Sequence, residues 1–465
     1  MSIEPFFFVV LLAGLIASDA AALYAQIAFC LFGATAALSL PALGGATIAP
    51  APLFLPFFVI RAVRNRGLAW FAHSIPRAGI WLGLLALWGV ISALLLPRAF
   101  AGRTQILTVD RTLSDQQVTL YALHPVSGNI TQPAYLVGSL LAFLAARALL
   151  VDGVRMRWLR NAVLLLGTLN ICAALLNLGE FWLNLPKILP YLRSASYAVF
   201  EAYEEAGLVR IQGTFAETSS FSSFTLPLFA FAANCWLHRI RTAYSGFVAA
   251  VSLILLLAST SGTAYLGLSL YLGILCAVLA ARWLSDGTSR AAPLLLVLAL
   301  SGIVISYIVS FEPRVVARVA EFFEFTVWNK LQSQSGLERT SWNRQAWTNF
   351  LETGGIGVGL GSARASSFPL VLLSNLGVIG LILLLGFILQ VLRPTSGAGA
   401  DAPVSSAARH GALASLIAAS VSGTVFDLGI LFYVFAAAAT ASTVPATQSN
   451  ASELYSRPRM PQMEG

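Results

Sequence analysis

The sequence predicts an all-α, polytopic membrane protein, and three observations carry that expectation. Hydrophobic residues make up 57% of the 465-residue chain and charged residues only 10%, where an ordinary soluble domain is about 25% charged. The mean hydropathy is +0.79. Apolar runs of roughly 17–25 residues, each long enough to cross a ~30 Å hydrocarbon core as a helix, recur from one end to the other. The expected architecture is a single integral membrane domain over residues 1–465 with about 12–13 transmembrane helices. A large extracytoplasmic loop with short helices is expected over 311–367, and a flexible tail over 441–465.

In chain order, apolar runs over 5–18, 20–40 and 46–60 lead to Arg61, Arg64, Arg66 and Arg77. The first run has no Lys or Arg ahead of it, so it reads as a crossing or half-helix rather than a cleavable signal. The dense basic connector is placed in the cytoplasm by the positive-inside rule. Crossings then follow over 79–96, 134–151, 161–178 and 218–237, with polar outer loops at 98–133 and 179–212 and inner arginines at 155, 157, 160, 239 and 241. A hairpin over 244–258 and 263–281, a crossing over 291–310, the large loop, a crossing over 369–392 and two last crossings over 410–423 and 428–439 complete the chain. Every inner connector is basic, and both lysines, Lys187 and Lys330, fall outside. The +8 charge therefore describes topology and not an affinity for nucleic acid. Cys30, Cys172, Cys235 and Cys276 all sit in apolar runs, which supports neither a disulfide framework nor a metal site.

The large loop is the working head of this reading. Between Phe311 and Ser367 it holds no His, Asp or Cys, so the usual metal ligands are missing there and no metal or cofactor is expected. Residues 313–332 have the pattern of an amphipathic helix lying on the outer leaflet. Residues 338–351 read as a second helix, with Trp342, Ala346 and Phe350 at helical spacing. The glycine run from Gly354 to Gly361 lacks the preceding strand that a nucleotide fingerprint needs. It reads either as a tightly turned re-entry into the membrane or as backbone amides approaching an anion. Arg210, Arg339, Arg344 and Arg364 face outward at the bundle mouth and are the candidate diphosphate ligands, since guanidinium pairs its donors with phosphate oxygens without metal. Glu217, an acid at the start of an apolar crossing, is the candidate general base, with Glu338 behind it; a helix-cap role for Glu217 is the plainer alternative.

The pattern Arg210-x-x-Gly213-Thr214-Phe215, the hairpin 259–263 and the segment Gly357-Val358-Gly359-x-Gly361, followed by Gly377-Val378-Ile379-Gly380, resemble the O-antigen ligase and Wzy-type polysaccharide polymerase superfamily. The resemblance implies a GT-C-like membrane fold and transfer of a glycan from an undecaprenyl-diphosphate carrier at the periplasmic face of the inner membrane. It implies no cofactor and no nucleic-acid partner. The implied partners are lipid-linked donor and acceptor glycans, membrane lipid and a chain-length regulator. Ligases of the family carry a His-Asn or similar pair shortly ahead of the Gly-x-x-Gly, and here those positions read Ser366-Ser367. A serine hydroxyl does not replace imidazole as a base, so the departure favours polymerase over ligase. Arg210, Arg344 and Glu217 then carry the transfer, with Arg339 and Arg364 on the diphosphate. A transporter or flippase is the rival of a different class.

Overall fold

The computed structural model describes residues 2–40, 46–109, 118–150, 153–195, 204–205, 208–286, 334–394 and 401–441. The expected crossing over 291–310, the amphipathic helix over 313–332 and the tail beyond 441 lie outside the described residues. Helix dominates because the Ala-, Leu- and Phe-rich runs satisfy their backbone donors and acceptors only internally. Among the described residues, five helices are long and apolar enough to cross a membrane: Arg77–Ala99, Gly128–Leu149, Val154–Trp182, Gly262–Ala281 and Phe368–Leu392.

The chain begins with two short helices, α1 (Pro5–Ile16) and α2 (Asp19–Phe29). Pro5 opens α1, and the Ser18 hydroxyl accepts the Ala21 amide at 3.3 Å to open α2. Helix was expected to continue from here towards residue 40 and stops instead at Phe29. Beyond that point tertiary partners take the carbonyls: Leu31 accepts from the Thr214 hydroxyl at 2.6 Å and Ala34 from the Ala195 amide at 2.9 Å. The strand β2 (Leu38–Leu40) then pairs antiparallel with β1 (Ser2–Ile3) and β3 (Ala46–Ile48).

Next come α3 (Pro50–Arg66), α4 (Leu68–His73) and α5 (Arg77–Ala99). The polar loop that follows contains an antiparallel hairpin, β4 (Gln105–Val109) with β5 (Val118–Ala122), rich in Val, Thr and Tyr. The chain proceeds through α6 (Gly128–Leu149), α7 (Gly153–Trp182), the single turn α8 (Leu189–Leu192) and the short pair β6 (Glu204–Glu205) and β7 (Leu208–Val209). It continues with α9 (Thr218–Leu237), α10 (Thr242–Ala258), α11 (Gly262–Asp286), α12 (Gln334–Glu352), α13 (Phe368–Leu392), α14 (Ala402–Ser422) and α15 (Ile430–Ala439). The Pro/Ala/Ser stretch from 402, expected as linker, is the start of α14, with Pro403 in its first turn where its missing N–H is harmless.

The core sits around α9, α14 and α15. Residues 228–232 of α9 and 431–439 of α15 are buried on every side, and Phe231 stacks on Phe435 with ring centroids 5.5 Å apart. The helix α5 instead turns Ile80, Leu84, Leu87, Ile91, Leu94 and Leu95 outward, as a lipid-facing helix does. The hydroxyls of Ser223 and Ser422 meet at 3.0 Å, so the start of α9 lies beside the end of α14. By the same continuity one end of the bundle gathers the β4–β5 hairpin, the starts of α6, α9, α13 and α15, and α12. The opposite end gathers arginines. There Arg66 donates to Ala148 O at 3.0 Å, Arg155 to Asn65 Oδ1 at 2.7 Å and Arg241 to Asn161 Oδ1 at 3.1 Å.

One helix is broken. Gly377 has φ 62° and ψ −160° inside α13, which releases the carbonyls around it from the helical ladder. The glycine run repairs the loss: Val358 N donates to Ser374 O at 2.8 Å and Gly359 N to Asn375 O at 2.9 Å, while Trp88 Nε1 donates to Leu376 O at 3.0 Å. A Cβ on Gly377 would lie 2.3 Å from the carbonyl oxygens of Gly355 and Ile356, so only glycine fits.

Candidate functional site

Two structures at the end that holds the β4–β5 hairpin present the candidate residues, and each is held by polar side chains of the surrounding helices. The first is the segment 210–217. Asn177, near the end of α7, accepts the amides of Gln212 at 2.8 Å and Gly213 at 3.2 Å. Arg193 grips the other side, donating from Nε to Gly213 O at 3.1 Å and from Nη1 to Gln212 Oε1 at 2.9 Å. Arg193 is itself placed by α8, whose start is fixed by Glu180: its Oε1 accepts the Ile188 amide at 2.6 Å and the Leu189 amide at 2.9 Å. Residues 211–216 are buried under this clamp, and the Arg210 Nε is enclosed as well.

Glu217 emerges from that segment as the residue before α9. It occupies the N-cap position with extended backbone, φ −138° and ψ 154°, yet its side chain caps no helix amide. Oε2 instead accepts the Ser219 hydroxyl at 2.7 Å, and among the described residues Oε1 accepts no hydrogen bond. The carboxylate is half-buried and keeps one oxygen open, the condition a general base needs.

The second structure is the frame around the glycine run. Asn375 Oδ1 accepts the amides of Gly361 at 3.0 Å and Ala363 at 3.2 Å, and its Nδ2 donates to Ala363 O and Val371 O, both at 2.9 Å. Asn129 mirrors it from α6, donating to Leu360 O at 2.9 Å and Ser362 Oγ at 2.8 Å. The amide of Gly357 goes to Thr353 Oγ1 at 3.0 Å and that of Ser362 to Gly359 O at 3.1 Å. The amides from Gly357 to Ala363 are thus spent inside the protein, and the run is a structural re-entry rather than an anion cradle. Gly361 and Gly128 touch so closely that a Cβ on either would lie within 2.2 Å of the other's carbonyl oxygen.

This frame carries Arg364, whose amide donates to Leu107 O of β4 at 3.2 Å. Arg364 lines a cavity of about 70 Å³ together with Thr131, Gln132, Ser362, Asn375 and Phe426. Hydroxyl and amide groups beside one guanidinium suit an oxygen-rich anionic or sugar ligand. Phe426 stacks on Phe368 at 5.4 Å and closes one wall.

Arg339 and Arg344 stand elsewhere, on the exposed surface of α12, as does Glu338. Among the described residues their side chains make no hydrogen bond, so two full charges face solvent. The helix is held beneath them: Gln345 Nε2 donates to Gln105 O at 2.7 Å, and Asn343 Oδ1 accepts the Ser366 amide at 2.8 Å. Ser366 is buried by that contact and Ser367 precedes the first turn of α13. The five candidate residues therefore share one end of the bundle. Arg364 lines the cavity, Arg210 and Glu217 belong to the clamped segment, and Arg339 and Arg344 stand on α12.

Sequence reasoning passed over Asn129, Asn177, Glu180, Arg193 and Asn375, which hold these pieces in place. The available signal was the polar residue inside an apolar run, which at such depth needs a partner. The fold and site define a class: a mostly helical protein with several helices suited to a membrane, with Arg210, Arg339, Arg344 and Arg364 at the end opposite the basic connectors. No family model matches the chain, and no curated protein matches it.

Proposed function

We propose that this protein is a Wzy-type polysaccharide polymerase, a metal-independent inverting glycosyltransferase. It joins undecaprenyl-diphosphate-linked oligosaccharide repeat units in exopolysaccharide, capsule or O-antigen biosynthesis. The reading places the chain in the inner membrane with about 12–13 crossings in a GT-C-like arrangement, the arginine-rich end in the cytoplasm and the opposite end in the periplasm. The observation that supports it best is the gathering of Arg210, Glu217, Arg339, Arg344 and Arg364 at the end away from the basic connectors, with Arg364 beside a polar cavity.

In this mechanism the arginines hold the donor's diphosphate and neutralise the charge that grows as it leaves. Glu217, through its open oxygen, takes the proton from an acceptor sugar hydroxyl. The hydroxyl oxygen bonds to the anomeric carbon from the face opposite the diphosphate, the carbon–oxygen bond to the diphosphate breaks, and the configuration inverts. The growing polymer passes to the newly arrived unit, with a chain-length regulator as a further partner.

The ligase alternative uses the same donor with a lipid A acceptor. It is less favoured because the pair Ser366-Ser367 is occupied in the fold of α13 and offers no imidazole. The transporter or flippase alternative calls for ionisable groups deep in several crossings, whereas the candidate residues here lie at one rim. The test supplies purified protein in detergent with lipid-linked repeat units and looks for a ladder of polymer on a gel. Alanine at Arg210 or Arg344 is expected to abolish the ladder while leaving the protein folded; wild-type polymer from both variants overturns the reading.

A further inference from the structure

A cation at the opposite end of the bundle has no role in this chemistry. Arg147 sits in the last turn of α6. Its Nε and Nη1 are enclosed by protein and, among the described residues, make no hydrogen bond. Its neighbour in charge is another arginine, Arg66 at the end of α3, close enough to act on it electrostatically. Arg66 donates from Nε to Ala148 O at 3.0 Å and so occupies a carbonyl at the end of α6 that Arg147 could otherwise use. Ala62, Ala146, Leu149 and Leu150, close to the two arginines along α3 and α6, are buried. Burying a guanidinium without acceptors is strongly unfavourable, and a second positive charge nearby adds repulsion. A helix C-terminus favours a cation, but that effect is modest and does not satisfy enclosed N–H groups.

We propose that the junction of the C-terminal ends of α3 and α6 binds a phosphate ester, with Arg147 as the principal donor and Arg66 on its flank. Phosphate supplies several acceptor oxygens and a negative charge to the enclosed Arg147 guanidinium. The junction lies at the end of apolar helices that carries the basic connectors, where basic sites between helices meet anionic headgroups. The headgroup of an anionic phospholipid is therefore the expected source, and soluble phosphate is the other. The inference rests on the membrane reading of the fold and is independent of the transferase reading.

The experiment uses the full-length protein in detergent. Binding of a phosphatidylglycerol and of a phosphatidylcholine is measured by native mass spectrometry, and melting is followed with each lipid and with inorganic phosphate. Wild type is expected to retain phosphatidylglycerol selectively and to melt higher with it. Arg147→Met, which keeps the length and apolar stem, is expected to bind it at least about tenfold more weakly, the loss of one charge-assisted contact. Arg393→Gln, an exposed arginine at the same end, is expected to bind as wild type does. Should Arg147→Met fail to fold, Arg147→Lys, with fewer donors, is expected to show a several-fold loss. An Arg147-dependent melting rise with inorganic phosphate alone assigns the site to soluble phosphate. Equal lipid and phosphate responses in wild type and in the folded Arg147 variant overturn the proposal, as does an Arg147→Met protein that melts higher than wild type in every condition.

Discussion

Asn375 Oδ1 accepts the Gly361 amide at 3.0 Å, across the break in α13 that Gly377 creates. The same carboxamide takes the Ala363 amide and returns a donor to Ala363 O, so one side chain seals the segment that presents Arg364. Asn375→Ala leaves two amide donors and a carbonyl without the partner that Asn375 supplies. Each buried orphan costs roughly 1–3 kcal/mol, so with three of them a loss of about 3 kcal/mol or more is expected. Thermal melting in detergent measures it. Asn375→Asp retains the acceptor and is expected to fall between wild type and alanine.

Glycines divide into those the packing demands and those it tolerates. A Cβ on Gly361 would lie 2.1 Å from Gly128 O, and Gly361 also has φ +88°. Gly83 in α5 has nothing within 4 Å of such an atom. Gly361→Ala is expected to melt far below wild type or to fail to accumulate. Gly83→Ala is expected to match wild type or gain up to ~1 kcal/mol from better helix propensity. Equal melting of the two variants removes the close-packing account of the glycine run.

Much of the helical framework is legible in the sequence, because a continuous apolar run has only one way to satisfy its backbone in a membrane. The helix expected over 218–237 is α9 at those bounds, and the one over 369–392 is α13 with one residue added. Helix propensity misleads where distant partners capture carbonyls, as Thr214 does at Leu31 beyond the end of α2. The β4–β5 hairpin escaped a reading that sought only apolar length, although Ile106, Tyr121 and their neighbours have strand character. The glycine run was legible as unusual backbone. Its partners were not, since nothing local ties Val358 to Ser374 or Gly361 to Gly128. The arginines and Glu217 stand out by residue type, whereas the asparagines that position them are ordinary in composition and informative only by depth.

Asp427 offers a pH dependence with a defined sign. It lies in the turn between α14 and α15, reachable by solvent, and its Oδ1 accepts the Gly429 amide at 2.9 Å. Protein packed around it desolvates the carboxylate and raises its pKa, outweighing the amide bond that lowers it. The folded state therefore binds this proton more readily than the unfolded chain, whose Asp titrates near about 3.9. Stability is greatest below that value and falls as pH rises through the raised folded-state pKa. Asp427→Asn is expected to flatten this part of the melting-temperature profile and to melt higher than wild type at neutral pH. A profile unchanged by the substitution removes Asp427 as the source.

Glu217 separates structure from chemistry because its side chain does not cap the helix it precedes. If its value lay in capping, Glu217→Ala would cost about 1 kcal/mol of stability; with no cap bond present, Glu217→Gln is expected to melt as wild type does. General base catalysis contributes typically about 10²–10⁴-fold, so polymer formation by Glu217→Gln is expected to drop by that range while donor binding is retained. Ser219→Ala removes the only hydrogen bond the carboxylate accepts among the described residues. That loss leaves the carboxylate less firmly oriented and is expected to lower the rate of polymer formation without abolishing it. Initial rates of ladder formation across pH, with melting recorded on the same samples, measure both variants. Full activity in Glu217→Gln transfers the base to another group, with Glu338 on the exposed face of α12 the next to test.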